Sequence, residues 1–159
     1  GGEWRQIVLA DGYAQLGQDA DITAAAVDTA YAVTYDTPAF ANGISLGTPA
    51  SRIVFAEGGT YLLSFTAQIS STSSSTVMFR FWPRINGADV AGSTIVAKLH
   101  QNDSSTVVSR GAMFPMNAGD YLEVMWATDS TSGFLKAEAA TAYAPAAPST
   151  TLSITRVRA

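Results

Sequence analysis

Residues 60–70 read TYLLSFTAQIS, and this alternation constrains the fold more than any other feature of the chain. Tyr61, Leu63, Phe65, Ala67 and Ile69 fall on one side of an extended backbone, with Leu62, Ser64, Thr66 and Gln68 on the other. Successive side chains of a strand point to opposite faces, so the pattern specifies a strand with one buried face. Residues 77–85, VMFRFWPRI, repeat it. Val77, Phe79, Phe81 and Ile85 share one face, and Met78, Arg80, Trp82 and Arg84 the other. Pro83 cannot donate a ladder hydrogen bond, so this strand is expected at a sheet edge or with a bulge.

Weaker alternation marks six further strands, at 31–35, 52–56, 94–100, 106–114, 133–138 and 150–158. Turn signals fall between them at Gly58-Gly59, Asn86-Gly87, 101–103, 117–120 and Ser132-Gly133. Asn-Gly is the strongest, because both residues tolerate positive φ. Turns recurring at this rate predict an all-β sandwich or barrel. Only residues 19–32, DADITAAAVDTAYA, offer a helical reading, through their alanines. Thr23 and Thr29 oppose it, and a loop or short extended segment is the alternative. Residues 70–77 read as a flexible polar loop and 142–150 as an extended linker. No internal repeat or second domain is visible, and 159 residues suit one domain.

Composition removes several classes of function. There is no Cys, which excludes disulfides, thiolate metal sites and thiol nucleophiles. The net charge is −4 and the nine Lys and Arg residues are scattered, so no nucleic-acid partner is expected. No apolar run reaches the roughly 20 residues of a membrane-spanning helix, and no membrane partner is expected. The first residues lack a basic start followed by a long apolar segment, so no signal peptide is expected.

Candidate catalytic residues are few. The one histidine, His100, sits at a strand end, and no serine lies in a nucleophile elbow. Asp19 and Asp21 lack the Gly and distal Glu of a calcium loop and read as turn residues. No cofactor or metal is implied. Asp120 and Glu123 could be proposed as an acid–base pair, with His100 as a third group. Residues 120 and 123 have opposite parity on a strand, however, and should diverge. A hydrolase is the rival hypothesis, and a non-enzymatic role is preferred.

Residues 121–126, YLEVMW, hold an anomaly. Leu122, Val124 and Trp126 form one face, the expected core. Tyr121, Glu123 and Met125 form the other, where a solvated strand would carry Ser, Thr or Lys. Large apolar groups flanking a carboxylate fit a subunit interface. A buried carboxylate needs a partner, and Arg80, Arg84, Arg156 or Arg158 of the same or a neighbouring subunit could supply one. Covering by a loop of the same chain is the alternative.

Four segments carry a resemblance: SRIVFAEGGTYLLSFTAQ (51–68), FRFWPRINGADVAGS (79–93), NAGDYLEVMWATDSTSGFLKAEAA (117–140) and PSTTLSITRVR (148–158). Together they resemble the C1q/TNF-like jelly-roll superfamily, and within it the C1q-like domains of bacteriophage virion proteins. The resemblance implies a jelly-roll domain over 31–159 assembled as a homotrimer, with Leu62, Tyr121, Glu123 and Met125 at the subunit interface. It further implies a capsid decoration protein or head fibre on the exterior of the virion, whose partner is the major capsid protein or another virion protein. No collagen-like stalk is present. Residues 1–30 fall outside the match and read either as an arm, with Trp4, Ile7, Val8 and Leu9 docking on a partner, or as a first strand of the sandwich. A receptor-binding tail-fibre tip, with loops 70–76, 101–106 and 128–133 as its contact surface, and a secreted bacterial C1q-like lectin are the alternatives.

Overall fold

A computed structural model describes residues 12–36, 38–100 and 104–158, and among these every regular element is a strand. The order is β1 Tyr13–Gln18, β2 Ile22–Thr23, β3 Tyr31–Ala32, β4 Phe40–Asn42, β5 Ile44–Leu46, β6 Ile53–Phe55 and β7 Gly59–Ser71. It continues with β8 Val77–Ile85, β9 Ala88–Asp89, β10 Ile95–Leu99, β11 Ser104–Met116, β12 Tyr121–Thr128, β13 Gly133–Leu135 and β14 Thr150–Arg158. The alanines of 19–32 therefore build no helix. Two short strands and a turn occupy the segment, as the extended reading anticipated.

Two seven-stranded antiparallel sheets result. The first is organised on β7, whose 13 residues pair with β11 along one edge and with β14 and then β13 along the other. β1 follows β14, and β4 follows β1. The second is organised on β8 and β12, with β10 and β9 beside β8, and β6, β5 and β3 beyond β12. One core joins both sheets. Tyr61, Leu63, Phe65, Ala67 and Ile69 are all buried, and so are Val77, Phe79 and Phe81. Phe65 of the first sheet meets Phe81 of the second with ring centroids 5.4 Å apart. Of the two readings for residues 1–30, residues 13–18 form a strand of the first sheet, with Ala14 and Leu16 in the core. Trp4, Ile7, Val8 and Leu9 lie outside the described residues.

Pro83 corrects an expectation. β8 is flanked on both sides, so it is not an edge strand. The proline is accommodated because no N–H is needed there. Opposite Pro83, the carbonyl of Val124 accepts from Val33 on its far side at 2.8 Å. On the other flank β9 ends opposite Arg84 and β10 begins opposite Phe81, which leaves Pro83 at the break between them. A local edge inside a sheet meets the same donor constraint as a global one.

Two turns lock each other. Asn86 and Gly87 have φ of 49° and 81°, the conformation of a two-residue hairpin turn between β8 and β9. The Asn86 side-chain amide donates to Asp120 Oδ1 at 2.8 Å, and its carbonyl oxygen accepts from the Tyr121 backbone N–H at 3.0 Å. Asp120 Oδ2 accepts from the Asn117 N–H at 2.7 Å, closing the turn into β12. The Asn117 backbone donor first, then the Asn86 amide, hold the Asp120 carboxyl below the usual carboxylate range.

Two predictions follow from these packings. A Cβ on Gly133 would stand 2.8 Å from Phe79 and 2.9 Å from both Val77 and Thr128. Gly133→Ala should therefore destabilise by about 1–3 kcal/mol in urea unfolding, the usual cost of overpacking. Because the Asp120 pKa is lower in the folded state, its contribution is complete above the ordinary carboxylate range and is lost as pH falls through the lowered value. Stability profiles from neutral to acid pH should accordingly fall less steeply for Asp120→Asn than for the wild type.

Candidate functional site

The anomalous face of β12 is covered by its own chain. Met125 is 3% exposed and Glu123 9% exposed in a single subunit. Met125 is flanked across the sheet by Trp82 and Ala32. The connection between β5 and β6, residues 47–52, folds over the neighbouring positions. It is closed by Gly47 N–H to the Arg52 carbonyl at 2.7 Å and pinned by Tyr35 N–H to the Ala50 carbonyl at 3.1 Å. From it Ser51 Oγ donates to Glu123 Oε1 at 2.6 Å, and the Arg52 guanidinium lies 4.6 Å from the centre of the half-buried Tyr121 ring. Arg84 stands directly opposite Glu123 on the adjacent strand.

For Tyr121, Glu123 and Met125 the sequence left two covers open, a neighbouring subunit or a loop of the same chain. For Glu123 the loop supplies the cover through Ser51, and Met125 is buried within the single chain, flanked by Trp82 and Ala32. Sequence reasoning missed the roles of Ser51 and Arg52, since Ser51 stood in an aperiodic stretch and Arg52 read only as the start of the strand at 52–56. Among the four arginines considered, Arg84 is the one opposite Glu123. It also holds Asp89 through Nε at 2.7 Å. Arg156 is committed elsewhere, to Glu57 at 2.6 Å and to the Gly58 carbonyl.

The candidate catalytic groups do not converge. His100 Nδ1 is 3.2 Å from Thr76 Oγ1, just before β8 begins, while Asp120 is bound to Asn86, just after β8 ends. A strand advances about 3.3 Å per residue, which puts these two groups roughly 30 Å apart. Glu123 points to a third environment, under Ser51. A hydrolase built on these three residues has no common cleft. Of the remaining carboxylates, Asp21 accepts the Ala137 N–H at 2.8 Å as a loop tie, and no cluster of metal-ligating side chains occurs among the described residues.

Leu62 stands apart from the other three interface candidates. It lies on the outward face of the first sheet and is 42% exposed. The register aligns it in a row Tyr13–Thr155–Leu62–Met113 across β1, β14, β7 and β11. The next row is Gln15–Ser153–Ser64–Gly111, and the third is Gly17–Thr151–Thr66–Ser109. None of these twelve residues is charged. Met113 is 63% exposed, and Tyr13 packs against the equally outward Phe40 with ring centroids 6.1 Å apart. Four strands at about 4.8 Å spacing make this face roughly 20 Å wide. A surface apolar along one row and free of charge throughout has the composition of an interface centre. Alternation in β7 and β14 gave the parity of these positions, but the side-by-side placement of four strands required the register.

One other exposed feature is notable. Residues 138–147 form a closed loop through the paired backbones of Glu138 and Ala147 and a turn from Thr141 to Ala144, and Tyr143 at its tip is 91% exposed. Compared with known proteins, the chain matches no family model, and no curated protein matches it.

If residues 47–52 serve to satisfy Glu123, removing the hydroxyl leaves a buried carboxylate oxygen without its donor. Ser51→Ala is expected to cost about 1–3 kcal/mol by chemical denaturation.

Proposed function

We propose that this chain is a non-enzymatic association module, a homotrimeric jelly roll that decorates a phage capsid as a cement or head-fibre protein. The observation that carries the self-association is the three uncharged outward rows of the first sheet, with Leu62, Met113, Tyr13 and Phe40 held in solvent. Neighbouring copies of the chain are their natural cover, since these rows bring no charge that would be stranded on burial. The jelly-roll reading is supported by the first sheet, where the two terminal strands β1 and β14 pair next to β7. The virion location rests on the resemblance of residues 51–68, 79–93, 117–140 and 148–158 to phage C1q-like domains. On a shell, a trimer would act by mass action, binding several capsid subunits at once and so opposing their separation.

The exposed Tyr143 favours a second reading, a receptor-binding fibre tip or lectin. A ring presented on a closed loop offers the stacking platform that a sugar needs, which the other loops lack. Binding of the purified protein to undecorated capsids supports decoration. Binding to host cells, lost in Tyr143→Ala, supports the second reading instead.

The association itself is tested in solution. Light scattering at micromolar concentration should give about three times 16.6 kDa. The double variant Leu62→Lys/Met113→Lys should run as a monomer with an unchanged circular dichroism spectrum. A wild-type monomer overturns the reading.

A further inference from the structure

The break in strand pairing at Pro83 opens a slot into the core. Between β9 and β10 the chain leaves the ladder over residues 90–94, bonding to β8 there through the Val90 N–H to the Pro83 carbonyl at 3.1 Å. On the other sheet, β11 is the last strand beside β7. The space between these two margins is an apolar slot of about 50 Å³, floored by Phe65, Phe81, Leu122 and Val124. An engineered cavity of roughly 150 Å³ accepts benzene. This slot is a third of that size, so it has room for the end of an aliphatic chain and not for a ring.

Arg110 lines it and forms no ion pair among the described residues. Arg110 belongs to the inward-facing set of β11, opposite Phe65, and lines the slot. Its Nη1 donates to the Ser93 carbonyl at 2.7 Å, which ties the guanidinium across the opening to the 90–94 segment. The three ion pairs among the described residues use Arg84, Lys136 and Arg156, so Arg110 faces no carboxylate there. A guanidinium has five N–H donors in a planar fork suited to a carboxylate, and the one bond to Ser93 leaves donors free.

We infer that the slot is a binding site for a small aliphatic carboxylate, with its chain end between the sheets and its head group on Arg110. Apolar walls select the tail, and the unpaired guanidinium selects an anionic head over a neutral one. The site goes beyond the association reading and is independent of it. Arg110 and Ala112 point inward from β11, whereas the uncharged face uses the outward residues Ser109, Gly111 and Met113.

The test is a titration of the whole chain with sodium hexanoate and, separately, 1-hexanol, followed by methyl NMR shifts of Ile95 and Leu122, which line the slot. Hexanoate should saturate with a Kd on the order of 1 mM, as expected for so small a ligand. Hexanol should bind about tenfold more weakly, the loss of one charge-assisted contact. Arg110→Met should reduce hexanoate to the level of hexanol. Ala112→Leu, which fills the slot from the β11 wall and leaves Arg110 in place, should abolish both. Equal affinities of the wild type for the two compounds, no shift at Ile95 and Leu122, or undiminished hexanoate binding in Ala112→Leu would each overturn the inference.

Discussion

Every other part of the molecule is placed relative to the inward row of β7. Tyr61, Leu63, Phe65, Ala67 and Ile69 form a continuous apolar ridge on a strand hydrogen-bonded along both edges. Burying that ridge requires a second apolar layer, and the Val77, Phe79 and Phe81 row of β8 supplies it. Once Phe65 and Phe81 are in contact, the parity of both strands is fixed. A slip of one residue would turn every core side chain into water. The charge-free outer rows and the slot below Pro83 are both consequences of that registration, one lying behind the ridge and the other at its margin.

The two surfaces proposed to bind partners arise from opposite kinds of local chemistry. The outward rows through Leu62, Ser64 and Thr66 are defined by what they lack, since Ser, Thr, Gly and Gln surround the apolar groups and none of the twelve residues is charged. The slot is defined by a missing donor. A proline in β8 stops the neighbouring strand from running continuously, and the gap admits Arg110 between two hydrophobic layers. Neither feature weakens the core itself, where the buried aromatic rings remain in contact.

Much of the fold was legible in residues 60–70 and 77–85, because half-buried strands write their parity directly into sequence. Tyr61 to Ile69 and Val77 to Phe81 took the faces that alternation assigned to them. β12 was legible in its position but not in its surroundings. The burial of Glu123 is explained by a loop at 47–52, and an aperiodic loop carries no sign of which surface it will cover. Pro83 was read through the correct physical rule, yet the rule constrains only the missing N–H. Whether that donor is spared by a sheet edge or by a break between two partners depends on where β9 and β10 stop. The outward row through Leu62 was half visible, since parity placed Leu62 away from the core while only pairing brings Met113 and Tyr13 into line with it.

The antiparallel pairing of β1 with β14 has a further consequence for how such a unit can be carried. The Arg156 N–H donates to the Gly12 carbonyl at 2.7 Å, so the chain enters and leaves the sandwich at adjacent points. A fold with neighbouring entrance and exit can be grafted into a surface loop of a larger host without stretching that loop. Segments attached at either side would emerge together beside the Leu62 row, tethered on the flank of the face through which copies of the unit would meet.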